Sequence, residues 1–204
     1  MFEREHMRVG QFVFSPETAT IRIGNAQPNV TSMTIDNHDL VTRLPDTVGQ
    51  DTSLSSLTII NQPMHGLPDS IGNLTSLTSL IIYNTPITVL PESVGNLTNL
   101  KTLILVNTNL AVLPDLSRLT KLETLSLAYN HLTAYPTSTD LLPRIRLLDL
   151  TDNPIAKLPA EFPDNIASVP PEFPPTLSTI FLGNTKVPRT TLWNMSLPEL
   201  DTFY

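Results

Sequence analysis

The chain has 204 residues, of which 40% are hydrophobic and 15% charged, so it is long enough to bury a continuous core. Acidic residues outnumber basic ones by 19 to 12, and the net charge of −7 argues against nucleic acid and anionic membranes as partners. The absence of cysteine excludes thiol nucleophiles, disulfides and cysteine-ligated zinc.

Residues 1–29 are predicted to form an N-terminal β-hairpin cap. The first ten residues are charged and lack the apolar centre of a signal peptide. Gln11–Phe14 and Ala19–Ile23 are two strand-like runs, and the Ser15–Thr18 segment between them has the composition of a turn. Because the first unit of a stacked structure has an open edge, we expect the hairpin to cover that edge.

From residue 30 to residue 199 the sequence repeats itself with a nearly constant period. A Leu-Pro or Tyr-Pro pair recurs every 22 or 23 residues, at Leu44-Pro45, Leu67-Pro68, Leu90-Pro91, Leu113-Pro114, Tyr135-Pro136 and Leu158-Pro159. Seven units of the pattern L-x-x-L-x-L-x-x-(N/T)-x-L are arranged around these pairs. A fixed period of this length is typical of a solenoid, in which each unit forms one coil.

Each unit is expected to contribute one short strand with a buried and an exposed face, because its L-x-L segment alternates. The Asn or Thr that follows can hydrogen-bond backbone groups inside the coil. The Leu-Pro step then reverses the chain, and Pro91–Val94 suits one helical turn with Pro at its first position. The predicted parallel strands are Met33–Ile35, Leu57–Ile59, Leu80–Ile82, Leu103–Leu105, Leu125–Leu127, Leu148–Leu150 and Ile180–Leu182.

The segments Leu67–Leu74 and Leu90–Leu97 share the pattern L-P-x-x-[IV]-G-N-L. In this the chain resembles the 23-residue class of leucine-rich-repeat proteins. The resemblance implies an α/β fold: a right-handed solenoid with a curved parallel sheet on its concave side and short helical turns or irregular segments on its convex side. The Asn-Thr turn, as in Asn84-Thr85, is similar to the repeats of some bacterial effector proteins.

Three departures from the period affect the predicted architecture. Only Asn130 and Asn153 occupy the Asn position of the turn, whereas the other units have Asn one residue earlier, so the inward-facing residue of the turn stays open. The unit that begins at Ile145 is 32 residues long, and its Pro-rich insert at 160–176 predicts a bulge on the convex side or rim. Residues 200–204 are interpreted as a terminal strand, a cap or the start of a truncated repeat.

Catalytic chemistry has no support in the sequence. Of the four histidines, His38, His65 and His131 fall on different units at different repeat positions, so no two of them are expected to converge with a carboxylate in a metal or catalytic site. The chain contains neither a Gly-rich phosphate loop nor a G-x-S-x-G motif. We therefore expect no enzyme, no catalytic residues, no metal and no cofactor.

The candidate partner-binding residues lie on the predicted strands, where the third, fifth and seventh positions of each unit point out of the concave face. Large apolar residues on three adjacent strands predict an exposed patch: Ile60, Ile81, Tyr83, Ile104 and Val106. Further candidates surround this patch, namely Tyr129, Asp36, Asp149, Asp152 and Phe181. Such residues also favour strands for stability alone, but a contiguous exposed patch favours a partner site.

The sequence thus indicates a protein-protein interaction module that binds its partner on the concave face, either on its own or as the recognition part of a larger bacterial effector or surface protein. The carboxylates around the patch favour a partner with a basic border. The alternative is a glycan- or cell-surface-binding ectodomain, which would require aromatic platforms and polar clusters on the same face. We expect a soluble monomer, cytoplasmic or secreted, that neither binds nucleic acid nor inserts into a membrane.

Overall fold

The N-terminal residues form a small antiparallel sheet of three strands, β1 (Arg8–Val9), β2 (Phe12–Ser15) and β3 (Thr20–Ile23). In this computed structural model, complete residues are described for 31–36, 41–137 and 142–156, and the backbone alone for β1–β3 and for residues 179–181. The hairpin of β2 and β3 confirms the predicted one, since Phe12 pairs with Ile23 and Ser15 with Thr20. Strand β1 was not expected. The role of residues 1–29 as a cap stays a prediction.

A second sheet contains seven parallel strands in chain order, and each strand pairs only with its neighbours in the sequence. Its strands are β4 (Ser32–Ile35), β5 (Ser56–Ile60), β6 (Ser79–Tyr83), β7 (Thr102–Val106), β8 (Thr124–Ser126), β9 (Leu147–Asp149) and β10 (Thr179–Phe181). All seven predicted strands are present. The last three begin and end one residue earlier than predicted.

The repeated leucines fill the interior of the solenoid. Leu80, Leu103 and Leu125 are paired in register on β6, β7 and β8, and all three are fully buried. Burial of one such side chain contributes about 1.5–3 kcal/mol to stability. Because equivalent leucines of neighbouring coils form one continuous column, the core extends along the whole stack of described coils.

A column of buried polar residues lies inside the turns that follow the strands, and it satisfies the backbone of two coils at once. Asn130 is its clearest member. Its side-chain oxygen accepts hydrogen bonds from the amide nitrogens of Thr108 (3.1 Å) and Leu110 (3.0 Å). Its nitrogen donates to the carbonyls of Leu105 (2.6 Å) and Leu127 (2.9 Å). Equivalent buried positions in other coils hold Gln62, Thr85, Thr108 and Asn153.

On the convex side, three coils contain a short 3₁₀ helix: η1 (Asp46–Gln50), η2 (Asp69–Asn73) and η3 (Glu92–Asn96). The prediction that Pro occupies the first helical position is wrong. Pro91 precedes η3 with an extended ψ of 146°, and its carbonyl accepts the first helical bond from the amide of Val94 at 3.0 Å. Strand β3 of the N-terminal sheet lies next to η1.

The glycines of the convex side allow these segments to stack closely. A Cβ atom added to Gly72 would lie 2.5 Å from the carbonyl oxygen of Ser93 in the next coil. The same atom on Gly49 would overlap the carbonyl oxygen of Ser70, and on Gly95 it would lie 2.7 Å from the carbonyl oxygen of Asp115. The recurrent Gly is therefore a packing requirement between successive coils.

The predicted Pro-rich insert at 160–176 and the terminal segment at 200–204 lie outside the described residues, so both remain predictions.

Candidate interaction surface

The outward face of the seven-stranded sheet carries side chains in straight rows, because parallel pairing aligns equivalent positions of successive coils. One row has Thr58 beside Ile81 beside Ile104. It continues through Ser126 and Asp149 on β8 and β9. The backbone of Phe181 on β10 extends this row by one strand. A second row has Ile60, Tyr83 and Val106 in register.

The five predicted apolar residues Ile60, Ile81, Tyr83, Ile104 and Val106, hereafter the apolar patch, therefore occupy neighbouring positions on β5, β6 and β7. Their exposure is less uniform than expected. Tyr83 is 45% exposed, whereas the four aliphatic side chains are half-buried. Strands lie only about 4.8 Å apart, so β-branched side chains in adjacent strands cover one another. Only Tyr83 projects clearly into solvent.

Each of the strands β5–β9 is followed, within three residues, by a residue with left-handed backbone. We call these five residues the turn column: Asn61, Asn84, Asn107, Tyr129 and Asp152. Their φ angles lie between 49° and 57°. The turn column forms the edge of the outward face next to the apolar patch. From the sequence, either of the two turn residues could face inward. The structure shows that the second one does, and that the first belongs to the turn column.

Asn84 and Asn107 are linked across adjacent coils. The side-chain nitrogen of Asn107 donates a hydrogen bond of 2.7 Å to the side-chain oxygen of Asn84, and both residues are exposed. Sequence analysis did not select either residue. Their repeated position directly after a strand was the available signal, since Asn is among the few non-glycine residues that readily adopt the left-handed conformation.

Tyr129 is 57% exposed and occupies the turn column in the coil of β8, with φ of 57°. Its backbone amide donates a 2.9 Å hydrogen bond to the carbonyl of Thr151 in the next coil. Among the described residues, neither the Tyr129 nor the Tyr83 hydroxyl makes a hydrogen bond. The hydroxyl groups of both tyrosines are therefore available to hydrogen-bond a ligand.

The predicted acidic residues lie at the two ends of the described face. On β9, Asp149 accepts hydrogen bonds from the Ser126 hydroxyl (3.1 Å) and from the amide of Thr151 (3.1 Å). Asp152 follows in the turn column, and Asp36 lies at the opposite end, beyond β4. Within β4–β9, the outward positions contain no Lys, Arg or His. The outward positions of the described face are therefore acidic at its two ends.

A second surface feature lies on a flank of the solenoid, away from the predicted site. Ala111–Asp115 and Leu132–Thr137 line an open groove of about 440 Å³. Val112, which lines it, is 69% exposed, and Val89 in the preceding coil is 64% exposed. Sequence analysis missed both valines because they lie in an irregular segment, where no alternation indicates which side chains face outward.

In the described part of the chain, no three His, Asp or Glu side chains come close enough together to hold a metal ion. None of the helices described is long and apolar enough to span a membrane.

Comparison with solved structures identifies similar solenoids. An LRR protein of Leptospira interrogans is 28% identical, with a TM-score of 0.65 over 77% of this chain and 39% of its own. The LRR ectodomain of the Arabidopsis receptor kinase HAESA was solved with an IDA peptide hormone ligand. It is 27% identical, with a TM-score of 0.58, and the match covers 76% of this chain and 26% of the HAESA chain. The leucine-rich repeat domain of the type III effector XopL is 25% identical, with a TM-score of 0.62, and the match covers 81% of this chain and 62% of the XopL chain. The chain thus spans less than two thirds of each protein.

No curated protein sequence matches the chain significantly. The family described as "Leucine-rich repeat region" matches residues 33–202, which is most of the sequence and includes all seven parallel strands except the first residue of β4. Sequence match, strand register and structural neighbours agree, and the chain belongs to the leucine-rich-repeat family.

Proposed function

We propose that the protein is an interaction module that binds a partner protein on the concave face of its sheet, at the apolar patch. The observation that carries the proposal is Tyr83, a large aromatic side chain that is 45% exposed among four half-buried aliphatic ones. Aromatic residues at the centre of an apolar surface commonly contribute most of the binding energy, and surrounding aliphatic contacts exclude water. The fold supports this proposal, since leucine-rich-repeat domains generally act as protein-interaction modules.

The comparison proteins support the same class of partner. The HAESA ectodomain was solved with a peptide hormone ligand, so a solenoid similar to this one binds a polypeptide. Two of the similar structures are a Leptospira protein and a type III effector, and the chain covers only part of each. We therefore extend the proposal to a role as the recognition part of a larger bacterial effector or surface protein.

The proposal is tested with the double variant Tyr83→Thr/Ile104→Thr. Threonine already occurs at outward positions of the same rows, at Thr58 and Thr151, so the strands should tolerate it. Partners captured from a lysate of the source cells would be identified, purified and titrated against the wild-type protein and the variant. We expect the variant to keep its melting temperature within a few degrees and to lose about 2–4 kcal/mol of binding free energy.

The matched control is Val112→Thr, which removes an apolar side chain that is more exposed than Tyr83 from the flank groove. This control should bind like the wild type. Undiminished binding by a folded double variant, or loss of binding by the control alone, would place the site elsewhere on the solenoid.

A further inference from the structure

Tyr129 stands out because its backbone conformation does not suit its side chain. Left-handed backbone is unfavourable for bulky residues, and the described coils otherwise have Asn or Asp at this position. Burial does not compensate Tyr129, since its side chain is 57% exposed and makes no hydrogen bond with the described residues. A strained and exposed aromatic residue is expected where binding requires it.

Tyr83 and Tyr129 lie along the same edge of the sheet, with the linked amides of Asn84 and Asn107 between them. Tyr83 ends β6 and Tyr129 follows β8, so two inter-strand steps separate them, or about 10 Å between their backbones. Each amide uses one group in the 2.7 Å bond and keeps further donor and acceptor capacity for a ligand.

We propose that the partner is bound through a proline-rich segment in the polyproline II conformation, which lies along this edge and packs one proline against Tyr83 and another against Tyr129. The inference rests on the proposed protein-binding function. One turn of this helix takes three residues and rises about 9.3 Å, close to the separation of the tyrosines. Its backbone forms no internal hydrogen bonds, so its carbonyls can accept bonds from the two amides. Tyrosine-lined grooves with such donors are a recurrent mode of proline-rich recognition.

Charge fixes the direction in which such a segment is bound. Asp149, held by the Ser126 hydroxyl and the Thr151 amide, lies one coil beyond Tyr129, as does Asp152. Among the outward positions of β4–β9, no Lys, Arg or His lies beside Asp149. A Lys or Arg of the ligand, next to the proline that contacts Tyr129, would face the Asp149 carboxylate, which complements its charge.

The test uses two displayed libraries of short peptides, one with a fixed Pro-x-x-Pro core and one with Ala-x-x-Ala, both with the same randomised flanks. They are selected on the immobilised full chain. We expect enrichment only from the proline library, with Lys or Arg at one constant side of the core. Equal enrichment of both libraries, no enrichment, or enrichment without a basic residue would overturn the proposal.

Enriched peptides are then titrated against Tyr129→Asn, a variant that installs the residue found in the turn column of three other coils. Because Asn relieves the backbone strain, the melting temperature should be unchanged or higher, while affinity falls by about tenfold or more. A merely structural Tyr129 would give the opposite result, with a lower melting temperature and unchanged affinity. Asp149→Asn should remove the preference for a basic residue and keep the requirement for proline.

Failure of this inference can be distinguished from failure of the proposed function. Peptides that lose binding to Tyr83→Thr/Ile104→Thr but bind Tyr129→Asn normally would retain the concave face as the site and overturn the proline-rich ligand. Peptides that bind both variants normally would overturn both proposals. Tyr129-dependent binding of an oligosaccharide array, without selection of proline peptides, would favour a glycan and also overturn the inference.

Discussion

Each turn after a strand requires two adjacent residues with different properties. The first adopts left-handed backbone at the surface, and the second fills hydrogen bonds inside the coil, as the pairs Asn84-Thr85 and Tyr129-Asn130 show. An Asn suits either place, because it tolerates left-handed backbone and also has an amide that can bond the peptide groups of two coils. The sequence alone therefore does not show which of the two turn residues faces into the coil, since the two positions differ only in the side of the backbone that they face.

We expect a substitution at the inward turn residue to lower the free energy of unfolding more than a substitution at an exposed position. Asn130→Ala would leave buried amides of Thr108 and Leu110 and buried carbonyls such as Leu105 without partners. Each unsatisfied group costs about 1–3 kcal/mol, so we expect a loss of at least about 3 kcal/mol of unfolding free energy. Urea denaturation of Asn130→Ala, with the exposed Asn73→Ala as control, measures this difference. Similar midpoints for the two variants would contradict the assigned role of the column.

The secondary-structure elements differ in how well the sequence predicted them. The strands were located within one residue, because the L-x-L alternation is the direct signature of one buried and one exposed face. On β5, β6 and β7 the third, fifth and seventh positions are half-buried or exposed, as predicted, whereas Ser126 and Ala128 at the fifth and seventh positions of the next coil are buried. Exposure within the apolar patch was not predicted, since it depends on side chains of neighbouring coils. Strand β1, with two residues in a charged segment, has no alternation to reveal it.

The convex segments provide a sharp test at the level of elements. In Gly72→Ala, the new methyl group would approach the Ser93 carbonyl within 2.5 Å, so η2 and η3 must separate. We expect a loss of about 1–3 kcal/mol, as for other overpacked sites. Gly66→Ala is the matched control, because no atom lies within 4 Å of its added Cβ.

The control substitution should leave stability unchanged or raise it by about 0.4–1 kcal/mol, because alanine restricts the unfolded chain. Both variants would be compared by thermal and urea denaturation. Equal effects of the two substitutions would mean that the recurrent Gly does not serve close stacking of the coils.

At the scale of the whole molecule, stability is shared between neighbouring coils, because no strand of the parallel sheet pairs beyond its neighbours in the sequence. A coil cannot bury its leucines alone, and adjacent coils complete its core. Damage in a central coil should therefore weaken the coils on both sides. The apolar patch lies on three such central coils, so binding and stability depend on the same part of the stack.

Leu103→Ala tests this dependence. Leu103 is fully buried on β7 between Leu80 and Leu125, and its truncation should cost about 2–5 kcal/mol of unfolding free energy. Thr102→Ala, at the adjacent half-buried position, should cost less than about 1 kcal/mol. Hydrogen exchange of Leu103→Ala should show faster exchange in β6 and β8 as well as in β7. Faster exchange confined to β7 would contradict coupling between coils.

The same neighbour-only pairing determines how the molecule would respond to mechanical tension. Each strand of the parallel sheet pairs only with its neighbours, so force applied along the stack would separate coils one at a time rather than open the whole sheet at once. Each coil of about 23 residues would lengthen the chain by up to about 75–80 Å of contour. The solenoid would therefore extend in discrete steps, each corresponding to the opening of one coil.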